Sequence, residues 1–301
     1  QSNLVSMALY KAAELYYQTN KPDKAIPVFN RLIEQYPNDS LSTNAHYYIG
    51  ACYEAQQKMG EAMQAYKAFL KNYPKHELAS DVMFRLATAA YTAKSYEDAA
   101  FYYERIIEKY QGSEYAQNAM YNVCIVYSEL NKPDDAIAAY RRFLKEYPAD
   151  PKSKDLPLMI AGMYLEQKRY KEAVTEYLAI ANDPKTTDTG KLEAIYRAGD
   201  IYNTQEDNEN AIAMFRKLVD MKPKESVYRV TGLVNLATLY EEKQQWVNAV
   251  EIYGLIAASG GDKNYVEGAK GRMTEIKRVY PDLFKPAEPA AKTEAKKEEK
   301  K

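Results

Sequence analysis

The sequence predicts an all-α solenoid of seven helix pairs followed by a C-terminal capping helix. The first observation is an alanine that returns every 37 or 38 residues, at Ala25, Ala62, Ala99, Ala136, Ala173, Ala211 and Ala249. The second is an apolar stripe, because a large side chain follows each alanine by four and by seven positions, as on one face of an α-helix. This regularity indicates one supersecondary unit copied along the chain, each copy burying its apolar face on its neighbours.

The second helix of each unit carries this stripe. Four positions after each alanine stands an aromatic residue, namely Phe29, Tyr66, Tyr103, Tyr140, Tyr177, Phe215 or Tyr253. Many units then end at a proline, as in Tyr36-Pro37 and Tyr73-Pro74, and proline stops a helix. We therefore expect second helices near 22–36, 59–73, 96–110, 133–147, 170–182, 208–220 and 246–259.

The first helix of each unit is marked by a small residue twelve positions before the alanine. These residues are Ala13, Gly50, Ala87, Cys124, Ala161, Gly199 and Ala237. A tyrosine follows three positions later in every unit except the third, which has Ala90. Small residues let two helix backbones approach closely, and aromatic rings fill the volume beside them. The expected first helices lie near 3–18, 40–57, 77–93, 114–130, 153–167, 188–204 and 226–243.

The end of the chain changes character. A last helix near 263–279 has Tyr265, Ala269, Met273 and Ile276 on its apolar side and is expected to cap the open array. No large apolar residue follows Phe284, so residues 285–301 are predicted to be a disordered tail rich in Lys, Glu, Ala and Pro. The solenoid is thus expected over 1–284, in units near 6–39, 43–76, 80–113, 117–150, 154–187, 192–225 and 230–261.

The repeated pattern resembles the tetratricopeptide repeat. Its marks are Gly or Ala then Tyr in the first helix, and Ala, an aromatic residue and Pro in the second. The resemblance implies a right-handed solenoid whose first helices line a concave groove. Residues 45–53 and 69–74 resemble a bacterial subgroup that includes the lipoprotein of the outer-membrane barrel assembly machine and the coordinator linked to the Tol-Pal system.

Charge and hydropathy limit the function classes. The chain carries 41 basic and 42 acidic side chains, for a net charge of −1. A nucleic-acid binder concentrates basic residues on one face, so no nucleic-acid partner is expected. No apolar run reaches the roughly 18–20 residues of a membrane span, so no direct span is expected either.

The start of the chain bears on its compartment. The first helix follows Gln1 almost at once, with no preceding cap, so we expect an upstream helix or domain that was removed or lies in a partner. Together with the resemblance, this predicts a periplasmic protein, or one attached to a membrane through a missing N-terminal segment. A cytoplasmic location is the alternative.

Motifs of catalysis and metal binding are missing from the sequence. It has no phosphate-binding loop, CxxC, HExxH or nucleophile elbow. His46 and His76 form no ligand pattern with Cys52 and Cys124, and these cysteines sit on helices two units apart, too far for a disulfide. We therefore expect two free thiols, no catalytic residue, no metal, no cofactor and no enzymatic activity.

The inner wall is the candidate site. Fifteen positions before each alanine stands Tyr10, Tyr47, Phe84, Tyr121, Leu158, Tyr196 or Val234. Such an aromatic ladder with polar neighbours suits a peptide, because aromatic rings give large contact area at low entropic cost. The predicted partner-binding groove comprises Tyr10, Tyr47, Phe84, Arg85, Tyr91, Tyr121, Asn122, Tyr196 and Arg197. The alternative is that these rings pack between adjacent units.

The function predicted from these features is a non-catalytic scaffold or adaptor for protein or peptide partners, within a bacterial cell-envelope assembly. A clamp for a terminal carboxylate, as in chaperone-binding members of the family, is not expected, because an aromatic or aliphatic residue fills the lysine position in every unit. Two alternatives stay open. The chain is a structural subunit packed into a larger machine through its ends and convex face, or the regulatory repeat region of a longer protein.

Overall fold

A computed structural model describes residues 2–285 and confirms the all-α class. These residues form fifteen α-helices, two short 3-10 turns and no strand. The helices are α1 Ser2–Gln18, α2 Pro22–Gln35, α3 Ser40–Ala55, α4 Met59–Asn72, α5 Ala79–Thr92, α6 Tyr96–Lys109, α7 Glu114–Glu129, α8 Pro133–Glu146, α9 Leu156–Glu166, α10 Tyr170–Asn182, α11 Asp188–Thr204, α12 Asn208–Lys217, α13 Val227–Glu242, α14 Trp246–Ala257 and α15 Lys263–Val279. The tail predicted after Lys285 lies outside the described residues.

The helices pack in the order in which they follow one another in the sequence. The chain divides into two compact units, one ending at Leu156 and the other beginning at Pro157. In the first unit each helix from α1 to α8 packs on the next, and α1 also reaches α3, as α5 reaches α7. In the second unit the same chain of contacts joins α10 to α15. Neighbour-on-neighbour packing is the arrangement predicted for a repeat array, while a single solenoid over 1–284 stays a prediction.

The recurring alanines and the small residues of the first helices occupy the buried, closely packed positions that their spacing predicts. All seven alanines are fully buried. In α3 the backbone of Gly50 lies so close to the ring of Tyr66 that a Cβ on Gly50 would stand 2.3 Å from Cε1. Gly199 stands in the same relation to Phe215, at 2.6 Å. The small position therefore receives the aromatic ring of its own second helix.

The turn inside each unit has one geometry throughout. Five positions before each alanine, the backbone takes a left-handed conformation with φ between 53° and 60°, at Asn20, Gln57, Lys94, Asn131, Lys168, Glu206 and Gln244. The next residue donates its amide to the carbonyl at the tyrosine position, as from Lys58 to Tyr53 at 2.9 Å. This is the Schellman ending of a helix. Left-handed geometry thus recurs with the repeat period although none of the seven residues is glycine.

The C-terminal ends of some second helices are capped by a side chain of the following repeat. Ser42 donates its hydroxyl to the Tyr36 carbonyl, and Ser153 does the same to Tyr147, both at 2.6 Å. At the equivalent position after α12 stands Arg229, which is buried and donates to the carbonyls of Leu218, Val219 and Lys224 at 3.0, 2.6 and 3.2 Å. Burial lowers the pKa of this guanidinium.

Two expectations on the second half differ from the structure. The first helix of the fifth unit was expected from residue 153, but a 3-10 turn at Pro151–Lys154 precedes α9, which begins at Leu156. The Asp150 carboxylate accepts the Lys152 amide there at 2.7 Å, so the chain turns before it enters the helix. On α15, Ala269 and Ile276 are buried as expected, but Tyr265 in the first turn is 38% exposed.

Candidate functional site

The first-helix face consists of the side chains at the predicted groove positions, which are divided between the two compact units. Tyr10 is only 8% exposed and meets the rings of Phe29 and Tyr48 edge-on, at centroid distances of 6.0 and 5.9 Å. Tyr47 is 9% exposed and contacts Tyr66 at 6.5 Å. These two rings belong to the core, so they offer a partner little surface.

Arg85 organises the charges of the first-helix face beside Tyr47. Its guanidinium lies 5.6 Å from the centre of the Tyr47 ring. It pairs with Glu54 of the preceding repeat and with Asp81 one turn earlier on α5, each at 3.1 Å. Glu54 also accepts the hydroxyl of Tyr66 at 2.7 Å. The pairing fixes Arg85 between two repeats and balances its charge with two carboxylates.

Phe84 and Tyr121 keep part of their rings exposed. Phe84 contacts Tyr103 of its own repeat at 5.7 Å and Tyr115 of the next at 5.2 Å. Tyr121 contacts Phe143 at 5.5 Å and carries the ammonium of Lys152 at 4.5 Å from its ring centre. Both rings are held by these contacts and keep part of their surface exposed.

Asn122 and Tyr91 are the remaining predicted site residues in the compact unit that ends at Leu156. The Asn122 amide donates to the hydroxyl of Tyr103 at 3.2 Å, so α7 is tied to α6. Tyr91 lies at the end of α5 and contacts Tyr96 across the turn, at 5.5 Å. Both side chains are partly exposed. They add polar edges to the surface that Phe84 and Tyr121 form.

The compact unit that begins at Pro157 has a similar arrangement around Tyr196. Its ring is partly exposed and contacts Phe215 at 6.4 Å and Tyr228 at 5.9 Å. Arg197 pairs with Glu193 one turn earlier on α11, at 3.5 Å. Burial raises the pKa of Asp200, the next acidic residue along this face.

A regular contact explains why the ladder rings are held so firmly. Each exposed ring touches a residue 31 or 32 positions later, which belongs to the following repeat: Phe84 with Tyr115, Tyr121 with Lys152, and Tyr196 with Tyr228. Tyr47 shares a cluster with Leu78 and Tyr10 shares one with Leu41, at the same separation. The residues 21 positions before each recurring alanine were not predicted to contact the ladder rings. Their constant separation of 31 or 32 positions from the ladder residue of the preceding repeat was the signal that could have identified them.

The chemistry open to this surface is recognition by contact. Within residues 2–285 no group of three or more His, Cys, Asp or Glu side chains is placed to hold a metal ion. Burial raises the pKa of the Cys52 and Cys124 thiols to about 12, and both are free, as predicted. In the same part of the chain no helix is long and apolar enough to cross a bilayer. The first-helix face presents aromatic rings, amide groups and paired charges to a partner.

Comparison with family models gives a consistent result. Three models, each described as tetratricopeptide repeat, match the sequence. One matches residues 10–77 and 125–186, a second matches 81–113 and a third matches 192–225. Together the matches cover about two thirds of the chain. No curated protein matches the sequence.

A search of solved structures finds similar chains at low sequence identity. A chain of the Naa15/Naa10 complex bound to HypK-THB aligns with a TM-score of 0.58 and 14% identity, over 92% of this chain and 41% of its own length. A tetratricopeptide repeat protein from Parabacteroides merdae aligns over 89% and 98%, with a TM-score of 0.46 and 15% identity. The TPR2AB domain of yeast Sti1 in complex with pHSP90 aligns over 94% and 100%, at 0.46 and 13%. This chain therefore spans about two fifths of the first of these matched chains.

Proposed function

Because this chain belongs to the tetratricopeptide repeat family, we propose that it is a non-catalytic scaffold that binds a protein or peptide partner on its first-helix face. The observation that carries the proposal is that Phe84 and Tyr121 in one compact unit, and Tyr196 in the other, keep part of their rings exposed. Each ring is fixed by contacts to its own repeat and to the next. A rigid ring loses little entropy on binding, and such rings are frequent anchors of interfaces.

The polar side chains support recognition of a peptide rather than of a flat apolar surface. Asn122 and Arg197 stand next to Tyr121 and Tyr196 and are partly exposed. Amide and guanidinium groups beside aromatic anchors fix the register of a peptide backbone through hydrogen bonds. Tyr10 and Tyr47 support the anchors from within the core and are not proposed as contacts, because they have little free surface.

The finer part of the proposal places this scaffold in a bacterial cell-envelope assembly, in the periplasm or attached to a membrane. It is supported by the repeat style of residues 45–53 and 69–74. Cell fractionation of the natural host with an antibody to the chain tests it. Recovery in the periplasmic or envelope fraction is expected, and recovery in the cytosol alone would contradict it.

Site-specific photocrosslinking tests the binding surface. A photoreactive phenylalanine analogue replaces Asn122 or Arg197 on the first-helix face, and Gln64 or Thr175 on second helices serves as the matched control. We expect protein adducts from the first two positions and few from the controls. Adducts from the controls alone would refute the proposal.

A second candidate function is that of a subunit packed into a larger machine. The observation that favours it is the outer face of α1, where Leu4 is 73% exposed and Met7 and Leu15 are also largely exposed. Apolar side chains gathered on one exposed face mark an interaction surface. A crosslinker at Leu15 separates the two functions, since strong adducts there with none at Asn122 would favour the packed subunit.

A further inference from the structure

A groove between two second helices has a composition of its own. It lies between α4 and α6, the second helices of two neighbouring repeats in the compact unit that ends at Leu156. Its volume is about 300 Å³. Lys67, Leu70, Lys71 and Pro74 form one wall, Phe101, Tyr102, Arg105, Lys109 and Tyr110 form the other, and Met83 and Leu86 of α5 form the floor. This volume is at the lower end of the range found for ligand sites in proteins. We call it the α4–α6 groove.

The charged residues of the α4–α6 groove are all basic. Lys67 and Lys71 are one turn apart on α4, and Arg105 and Lys109 are one turn apart on α6, so each wall carries two cations. Among the described residues no carboxylate lines the groove or forms an ion pair with any of the four. The lining of this cavity is therefore positively charged, although Phe101 and Arg105 also line an adjoining cavity together with Glu97, Glu104 and Glu108 of α6.

The apolar part of the α4–α6 groove is recessed, with one exception. Leu86 and Met83 are buried at its floor. Phe101 is 51% exposed on the wall, and the guanidinium of Arg105 lies 4.9 Å from its ring centre. The hydroxyl of Tyr110 donates to the Pro74 carbonyl at 3.0 Å and closes one end of the groove. The Phe101 ring is therefore the main apolar surface that the groove offers to a side chain projecting from a partner.

The neighbouring groove of the same unit shows that this composition is not a property of every repeat. The equivalent space between α6 and α8 has a volume of about 230 Å³. Its charged lining consists of Glu104, Asp135 and Arg142, and Ala138 stands where the first groove has Phe101. Two acids and one cation there replace four cations. The basic and aromatic lining therefore distinguishes the α4–α6 groove from its neighbour between α6 and α8.

We propose that the α4–α6 groove binds an acidic peptide segment of a protein partner. One large apolar side chain of the segment lies against the exposed Phe101 ring, above the buried Met83 and Leu86, and flanking carboxylates pair with the lysines and with Arg105. Charge complementarity selects this occupant, because carboxylates on both sides of an apolar anchor match cations on both walls of an apolar floor. The site is separate from the first-helix face, so the scaffold holds two partner segments at once.

Fluorescence anisotropy with a defined peptide tests the proposal on the full chain. The probe is a fluorescein-labelled peptide in which Phe-Leu is flanked by short runs of glutamate. Two further peptides replace the glutamates by lysines or Phe-Leu by Gly-Ser. We expect binding of the first peptide that weakens as salt rises, and no binding of the other two.

Charge-reversal variants locate the site. The Lys71→Glu/Arg105→Glu double variant is expected to raise the dissociation constant about tenfold or more, and Phe101→Ala to raise it by a smaller factor. The matched control is Arg142→Glu/Lys145→Glu on α8, which changes the net charge by the same amount and is expected to leave the affinity unchanged. Circular dichroism verifies that each variant keeps its helices.

Four results would overturn the proposal, of which the first three concern the peptide. They are equal binding of the Gly-Ser peptide, unchanged affinity of the Lys71→Glu/Arg105→Glu variant, and an equal loss in the α8 control. Binding to phosphatidylserine vesicles without binding to the peptide would also overturn it in favour of a membrane. A Phe84→Ala/Tyr121→Ala variant of the first-helix face is expected to bind the acidic peptide normally, so failure here is distinct from failure of the scaffold function.

Discussion

Arg272 of α15 donates its Nε to both oxygens of Glu241 on α13, at 2.9 and 3.1 Å, and thereby joins the final helix to the last repeat. The same carboxylate accepts the hydroxyl of Tyr253 from α14 at 2.7 Å. Three helices thus meet at one carboxylate. Close by, Trp246 stacks on Tyr280 at the end of α15, with ring centroids 4.5 Å apart. Since the chain has a single tryptophan, its fluorescence reports on the docking of this helix.

Docking of α15 is predicted to weaken in acid. The hydrogen bonds from Arg272 lower the pKa of Glu241. A carboxyl group whose pKa is lowered by folding stabilises the protein above its unfolded pKa, and this contribution disappears as the pH falls through the lowered value. We therefore expect tryptophan fluorescence to change below about pH 4.

The Glu241→Gln variant is expected to lose this acid-dependent step and about 1–3 kcal/mol of stability at neutral pH. Glu267→Gln is the control, because Glu267 pairs only with the exposed Lys270 on the same helix. Urea denaturation followed by tryptophan fluorescence measures both variants. An acid transition that persists unchanged in Glu241→Gln would assign it to another group.

A methyl group at Gly50 is predicted to destabilise the first unit. The Gly50→Ala variant would place a Cβ 2.3 Å from the Tyr66 ring, which is buried and hydrogen-bonded to Glu54. Overpacking of this kind costs about 1–3 kcal/mol. Gly60→Ala is the control, because nothing lies within 4 Å of its added Cβ. Thermal unfolding by circular dichroism should show a lower midpoint for the first variant alone, and equal midpoints would refute the close packing.

Relief of the left-handed turn at Lys94 is predicted to stabilise the chain. A side chain at positive φ costs about 1 kcal/mol relative to glycine, and Lys94 has φ 59° at the end of α5. The Lys94→Gly variant should therefore gain up to about 1 kcal/mol, less what the unfolded state gains in freedom. Ala93→Gly, next to it with φ −76°, should lose stability instead. Denaturant titration compares the two, and the same sign for both would contradict this turn geometry.

Loss of the buried cap at Arg229 is predicted to be the most damaging of these changes. Its guanidinium satisfies the carbonyls of Leu218, Val219 and Lys224 after α12. The Arg229→Met variant keeps much of the volume but removes the Arg229 donor from the Val219 and Lys224 carbonyls, at about 1–3 kcal/mol for each buried one, while Leu218 still accepts the Met221 amide at 3.3 Å. Arg216→Met, on the exposed side of α12, should have little effect. Equal stability of the two variants in chemical denaturation would rule out the capping role.

Periodicity predicted the helices well because it follows directly from burial. Each apolar stripe must face a neighbour, so Ala62, Tyr66 and Phe69 define α4 and its buried side without knowledge of the rest. Helix bounds followed from the turns and prolines between the stripes. The free thiols followed from the repeat geometry in the same way.

Contacts between repeats were harder to predict because they join residues about one period apart. Tyr10 and Tyr47 were predicted to line a groove, but both are buried in clusters that also contain Leu41 and Leu78 of the following repeats. Arg229 looks like a surface residue by type, and only the end of α12 shows why it is buried. Lys94 has no local mark of a left-handed turn, since the geometry is imposed by the Schellman ending of α5.

The central claim is that fixed ring edges on the first-helix face hold a partner. The most direct measurement is the affinity of a partner segment captured by crosslinking, for the wild type and for a Phe84→Ala/Tyr121→Ala variant whose circular dichroism is unchanged. We expect the dissociation constant of the variant to rise about tenfold or more, while Phe101→Ala, on the second-helix side, leaves it unchanged. An unaltered affinity in the Phe84→Ala/Tyr121→Ala variant would contradict the claim.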